Sequence, residues 1–206
     1  MAALIFDFDG TIADTIDYFI DFIAKEAGLE SLSTEQRHQL RQMSLRRIAR
    51  ELGHPWWRLP KLYYKGRHLM EPKLQNIKPF KGMPEVIKKL HAEGHELFII
   101  SSNSVHNMRS FLRRQHLRTS FLQIYGGVVV FGKAPTIRQL LREQHIALSE
   151  AVYIGDELRD IQAAQSVGMR VIAVSWGFAQ NADLLAAKPT ALVRTPQELL
   201  EKLEEM

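Results

Sequence analysis

The sequence predicts an α/β protein: a mostly parallel sheet flanked by helices, with a long helical stretch inserted near its start. Three observations predict this. From Glu96 onward, short apolar runs alternate with amphipathic stretches, the pattern of successive strand–helix units. Between Thr11 and Pro79 there is no strand signal, only helical periodicity. Polar clusters directly follow the apolar runs at separate points of the chain, which is where a parallel sheet would gather them along one edge.

The first run, Leu4-Ile5-Phe6-Asp7-Phe8, reads as a buried strand interrupted only by Asp7, and Gly10 ends it at a tight turn. Thr15 to Ala27 reads as a helix with Ile16, Phe19, Ile20, Ile23 and Ala27 on one face, capped by Asp14 or Thr15 and ended by Gly28. Ser33-Thr34-Glu35-Gln36 is a capping box opening a second helix. Ser44 caps a third, with Leu45, Ile48, Ala49 and Leu52 apolar, stopped by Gly53 and Pro55. His54 to Arg58 reads as a loop and Leu59 to Leu69 as a fourth helix; Pro79-Phe80-Lys81-Gly82 closes the stretch.

Beyond it the pattern changes. Pro84 to Glu93 is an amphipathic helix and Glu96 to Ile100 a strand, followed by Ser101-Ser102-Asn103-Ser104 and a helix from Val105 to His116. Phe121 to Tyr125 and Val128 to Val130 read as short strands, Gly132 to Pro135 as a loop, and Thr136 to Gln144 as a helix. Ala151 to Ile154 is a strand leading into Gly155-Asp156-Glu157-Leu158-Arg159-Asp160, with a helix from Asp160 to Val167. Arg170 to Val174 and Ala191 to Val193 are further strands, and Pro196 to Glu204 a closing helix.

Composition narrows the function classes. With 206 residues, 46% of them hydrophobic, the chain can bury a full core. It has no cysteine, which excludes disulfides, thiolate metal sites and cysteine nucleophiles and fits a reducing compartment. The amino terminus lacks a signal-peptide pattern, and no apolar run approaches the ~20 residues that span a bilayer. The expectation is a soluble, cytoplasmic protein. The net charge of +4 is uneven: from Arg37 to Lys78 there are eleven bases against two acids, Glu51 and Glu71. That excess suggests an anionic substrate or partner, or simply a solvated helical surface.

The chemistry gathers at Asp7/Asp9, Ser101/Asn103, Lys133 and Asp156/Asp160. Two carboxylates two residues apart repel unless a cation or proton relieves them, so Asp7 and Asp9 either help hold a hard cation such as Mg²⁺ or form a turn and N-cap cluster. Asp7 could act as a nucleophile, Asp156 could join it around the metal, and Ser101 and Lys133 could hold phosphate oxygens.

In that order these residues resemble the motifs of the haloacid dehalogenase-like hydrolase superfamily: Asp7-Phe8-Asp9-Gly10-Thr11 the first, Ser101 the second, Lys133 the third and Gly155 to Asp160 the fourth. Gly155 to Phe178, ending in Ser175-Trp176-Gly177-Phe178, further resembles the phosphoglycolate phosphatase-like branch. The resemblance implies a Rossmann-like three-layer parallel-sheet core (residues 1–13 and 81–206) and an inserted α-helical cap domain (14–80). It implies that Asp7 attacks phosphorus to form an aspartyl-phosphate, and that Asp9 protonates the leaving oxygen and then activates water. Mg²⁺ would be held by Asp7, Asp9 (through its backbone carbonyl) and Asp156, supported by Asp160. Ser101, Ser102, Asn103, Gly10 and Thr11 would meet the phosphoryl group, and Lys133 would anchor it. The proline that often directly follows this lysine is absent; Ala134 stands there. An aspartate at position 9 favours phosphate chemistry over carbon–halogen cleavage. The cap would select the substrate, with Arg46 and Arg47 as candidates for a carboxylate or second phosphate. The implied function is a Mg²⁺-dependent phosphatase of a small phosphorylated metabolite, phosphoglycolate-like, as a monomer or dimer. Sugar phosphates, nucleotides, pyrophosphate or a phosphoglucomutase-type transfer are alternatives. So is a nucleic-acid- or protein-binding module using the basic segment.

Overall fold

A computed structural model describes residues 1–41, 43–128 and 132–206. Its centre is β1 (Ala3–Phe6), which pairs in parallel with β2 (Glu96–Ile100) on one side and β4 (Ala151–Gly155) on the other. With β3 (Phe121–Tyr125), β5 (Arg170–Val174) and β6 (Ala191–Val193) they form one six-stranded parallel sheet in the order β3-β2-β1-β4-β5-β6. The strands therefore end along one edge, as the polar clusters predict. The chain runs outward from β1 in both directions, so β1 flanks the point where ligands bind in open α/β sheets.

Both faces are covered, which is why the central strands carry apolar residues at every position. Leu4 and Phe6 face a layer made by α5 (Met83–Ala92), α6 (Val105–Arg114) and α10 (Pro196–Glu204). Ala3 and Ile5 face the opposite layer of α7 (Lys133–Glu143), α8 (Leu158–Ser166) and α9 (Asn181–Ala186). The sequence reading has no helix at α9; only Leu184 of it is buried, too little for an apolar period.

Between β1 and β2 the chain makes a helical excursion: α1 (Ile16–Glu26), α2 (Thr34–Arg41), α3 (Leu45–Glu51) and α4 (Leu59–His68), then a 3₁₀ segment, Glu71–Asn76. The expected capping box is formed in full: Ser33 Oγ accepts from the Gln36 amide at 3.1 Å, and Gln36 Oε1 accepts from the Ser33 amide at 2.9 Å. Ser44 caps α3. The N-cap of α1 is Thr15, but its side chain makes no capping bond. The excursion leaves and returns through adjacent backbone: Asp14 donates to the Lys78 carbonyl at 2.9 Å, and Phe80 to that of Ile12 at 3.1 Å. Its apolar residues Phe19, Ile48, Leu62 and Met70 join the same core as Phe6 and Phe8. Edge-on aromatic pairs tie the parts together, Phe8 with Phe111 at 5.1 Å and Phe19 with Phe178 at 5.7 Å.

One boundary is corrected. The sequence reading runs Gly132 to Pro135 as a loop, whereas α7 begins at Lys133, with Gly132 at the N-cap. Pro135 sits in the first turn, where proline's missing N–H costs no hydrogen bond. Val129 and Val130, of the expected strand at Val128 to Val130, lie outside the described residues. Among the described residues no helix is long and apolar enough to cross a membrane.

Candidate active site

Asp7 follows β1 directly, and its amide is tied to the Ile154 carbonyl of β4 at 2.8 Å. Its Oδ1 accepts from the Phe8 amide at 2.8 Å, which fixes the carboxylate plane. Its Oδ2 lies 2.9 Å from the Lys133 ammonium. Lys133 also pairs with Asp160, and its ammonium sits 5.7 Å from the Tyr153 ring centre. A cation in the first turn of a helix opposes the helix dipole; the two carboxylates outweigh that penalty. Asp160 in turn caps α8 by accepting from the Glu157 amide at 3.0 Å.

Asp156 ends β4. Its two oxygens accept from Thr11 Oγ1 and the Phe178 amide, each at 2.8 Å. Two glycines make room for it. A Cβ on Gly10, whose φ is +82°, or on Gly177 would lie 2.2 Å from Asp156 Oδ2, so neither position has space for a side chain. The Trp176 indole N–H donates to the Thr11 carbonyl at 3.1 Å and pins the first turn to the loop after β5.

Asp9 faces different partners. Asn103 Nδ2 lies 3.1 Å from both of its oxygens, and Arg67 Nε, from α4, is 3.2 Å from Oδ2. Asn103 Oδ1 accepts from Asn107 Nδ2 at 3.0 Å, and the Asn103 amide donates to Ser101 Oγ at 3.2 Å. Ser104, not Ser101, caps α6, which leaves Ser101 to the site. Ser102 Oγ is buried and has no hydrogen-bond partner among the described residues.

Asp7, Asp9, Asp156, Asp160, Ser101 and Asn103 are completely buried and Lys133 nearly so. Burial raises the Asp7 carboxyl, but Lys133, Arg159 and Arg67 overcome this and hold it below the usual range. Burial pushes Asp9 up, with Arg67 opposing and the Asp7 charge adding. Asp156 is raised well above the usual range by burial and then by Glu157, Asp7 and Asp160. Asp160 is pushed up to about 6, burial again leading and Lys133 opposing. Lys133 is raised, because Asp160 and Asp7 outweigh its burial.

Asp7, Asp156 and Asp160 each place an oxygen within 4.8 Å of the others. Three carboxylates face one ammonium, since Asp9 has Arg67 and Glu157 has Arg159. That excess of negative charge, on oxygen donors only, fits a hard divalent cation.

A stability prediction follows. A carboxyl whose folded pKa is raised contributes stability that is present at low pH and lost as pH rises through that value. Without metal, the melting temperature is therefore expected to rise as pH falls through the about 6 of Asp160 toward its ordinary carboxylate value of about 4. Added Mg²⁺ at the higher pH should recover most of that gain, because the cation offsets the same charges. Melting curves across pH, with and without Mg²⁺, check this; a flat profile that Mg²⁺ leaves unmoved would contradict it.

The structure brings Asp7, Asp9, Gly10, Thr11, Ser101, Asn103, Lys133, Asp156 and Asp160 together, with Ser102 adjacent. It does not bring Arg47, whose side chain is 65% exposed and lies 4.0 Å from Glu51. The Arg46 side chain lies outside the described residues. The sequence reading missed Arg67 and Asn107. Its charge count covered Arg67 without distinguishing it from ten other bases, and Asn107 falls on a helix with nothing in its spacing to mark it.

Fold and site define a class: an α/β enzyme that gathers carboxylates, a lysine, a serine and an asparagine at the carboxyl edge of a parallel sheet. The chain belongs to the haloacid dehalogenase-like hydrolase family, whose model matches residues 4–174. It is similar to a phosphoglycolate phosphatase of Synechococcus elongatus, 33% identical over 100% of this chain and 99% of that one. It is also similar to a 5'-nucleotidase of Pseudomonas aeruginosa, 25% identical over 91% of this chain and 88% of the relative. Among solved structures, a haloacid dehalogenase-like family hydrolase from Streptococcus pneumoniae shares the fold, with a TM-score of 0.75, 22% identity and 98% of each chain covered.

Proposed function

We propose that the protein is a Mg²⁺-dependent phosphatase that hydrolyses a small phosphate monoester through an aspartyl-phosphate on Asp7. The observation that carries this is the division of labour between two carboxylates two residues apart. Asp7 faces Lys133 and stays ionised, as a nucleophile must; Asp9 faces Arg67 and Asn103 and is pushed the other way, as a proton donor requires. The S. elongatus relative, matched end to end, supports a phosphoglycolate-like ester.

In this reading an Asp7 oxygen bonds to phosphorus as the ester P–O bond breaks, and Asp9 gives its proton to the leaving oxygen. Asp9 then takes a proton from water, which attacks phosphorus and releases Asp7 as the acyl-phosphate P–O bond breaks. Lys133 offsets charge on Asp7 and the phosphoryl oxygens, and Ser101, Ser102 and Asn103 offer hydroxyl and amide contacts to those oxygens. Asp7, Asp156 and the Asp9 carbonyl would hold Mg²⁺, with Asp160 in support. When bound, the cation neutralises the phosphoryl group and screens it from Asp7. Residues 14–80 act as a helical cap over a core of 1–13 and 81–206, and keep bulk solvent from the site while admitting the one water that hydrolysis consumes. The setting is the cytoplasm, consistent with a chain free of cysteine.

The test is phosphate release from small phosphate esters with Mg²⁺ and with chelator. Release is expected with Mg²⁺, to stop with chelator and to return on re-addition. Release indifferent to chelator would remove the metal from the reading, and no release from any ester would remove the phosphatase.

A further inference from the structure

We propose that Tyr153 is a positioning residue for the nucleophile: its hydroxyl serves a sheet carbonyl and so frees the Phe8 amide to hold Asp7. The proposal rests on the phosphatase reading above for the role of Asp7. The ladder of the sheet shows why such a residue is needed. On one side of β1, Ile154 stands opposite Phe6, and its carbonyl accepts from the next amide, that of Asp7, at 2.8 Å. On the other side Phe6 stands opposite Ile99, so one step further sets Ile100 opposite Asp7. By the same rule the Ile100 carbonyl would accept from the Phe8 amide. That amide is turned instead to Asp7 Oδ1, at 2.8 Å. The bond that fixes the nucleophile therefore takes its donor from the ladder. Ile100 is fully buried, and a buried carbonyl without a donor is costly.

Tyr153 supplies the missing donor. It stands on β4 opposite Ile5, fully buried on the face of the sheet that packs against α7 and α8. Its hydroxyl donates to the Ile100 carbonyl at 3.1 Å. Because β1 lies between β4 and β2, the side chain reaches across β1 to make this bond. The same ring lies 5.7 Å from the Lys133 ammonium, which is paired with the other oxygen of Asp7. One side chain thus backs both contacts of the Asp7 carboxylate. Its hydroxyl releases the Phe8 amide to Oδ1, and its ring face lies against the cation on Oδ2. A phenylalanine would keep the ring and lose the donor.

The experiment uses Tyr153→Phe, which removes only the hydroxyl and leaves the packing in place. With the Ile100 carbonyl again in need of a donor, the Phe8 amide is expected to return to it and leave Asp7. For a small phosphate ester kcat should fall by about 10-fold, the scale of one hydrogen bond. KM should change little, because the groups that meet the substrate are untouched. The readout that packing alone would not move is the Phe8 amide resonance in ¹⁵N-labelled, metal-free protein at neutral pH. In the wild-type background, Asp7→Asn should move it strongly, since the acceptor changes from a carboxylate to an amide. In the Tyr153→Phe background the same substitution should move it much less. Equal displacement in the two backgrounds would overturn the proposal, and so would a Tyr153→Phe kcat equal to that of wild type. Turnover of no ester by wild type would overturn the phosphatase reading, while the resonance still decides whether Tyr153 keeps the Phe8 amide on Asp7.

Discussion

Asp7→Asn is expected to abolish turnover, by at least ~10⁴-fold, while the protein stays folded. The amide is nearly isosteric, and its oxygen can still accept from the Phe8 amide as Asp7 Oδ1 does. It has no anionic oxygen with which to attack phosphorus, so every later step is lost. The variant also removes one of three clustered carboxylates, relieving repulsion with Asp156 and Asp160 while leaving Lys133 its pair with Asp160. Its melting temperature should therefore stay near that of wild type. Phosphate release measured beside a thermal melt checks both halves. Near-normal turnover in a folded Asp7→Asn protein would show that another group attacks phosphorus.

Lys133→Met is expected to cost both activity and stability. The methionine fills much of the same volume, so the change isolates the ammonium. Activity should fall by ~10²- to 10³-fold, the scale for losing one preorganised group that offsets transition-state charge. Stability should fall by about 3–5 kcal/mol near neutral pH, because Asp7 and Asp160 are left buried without their cation. The sign with pH distinguishes this from a packing defect. Without Lys133 both carboxyls shift upward, so the destabilisation should shrink as pH falls and they take up protons. Denaturant melts of both proteins at two pH values read it. An equal loss at high and low pH would assign Lys133 a packing role instead.

Much of this site is legible along the chain because each part is local. Asp7 and Asp9 share one strand end, and Asp156 and Asp160 one strand–helix turn. The Ser33 capping box, the glycine stops and most element boundaries follow from short-range hydrogen bonding, and they are observed where the pattern places them. The basic segment shows where local reading fails. Its tally from Arg37 to Lys78 leaves out the acids of α1 and Asp14 just before it, yet packing pairs Arg37 with Asp21, Arg41 with Asp14 and Asp17, and Lys65 with Glu26. Three of the eleven bases are thus paired with acids outside the segment, which weakens the case for a nucleic-acid surface.

The sequence by itself determined the α/β class, the helical insertion and the acidic and lysine residues of the site, because strand ends, caps and periodicity depend on neighbours within a few residues. Only the tertiary structure decided which basic residue enters the site. Arg67 meets Asp9 across 58 positions of chain, and Asn107 meets Arg67 across 40. Such contacts depend on how one helix packs over a sheet edge, and neither period nor composition encodes that angle.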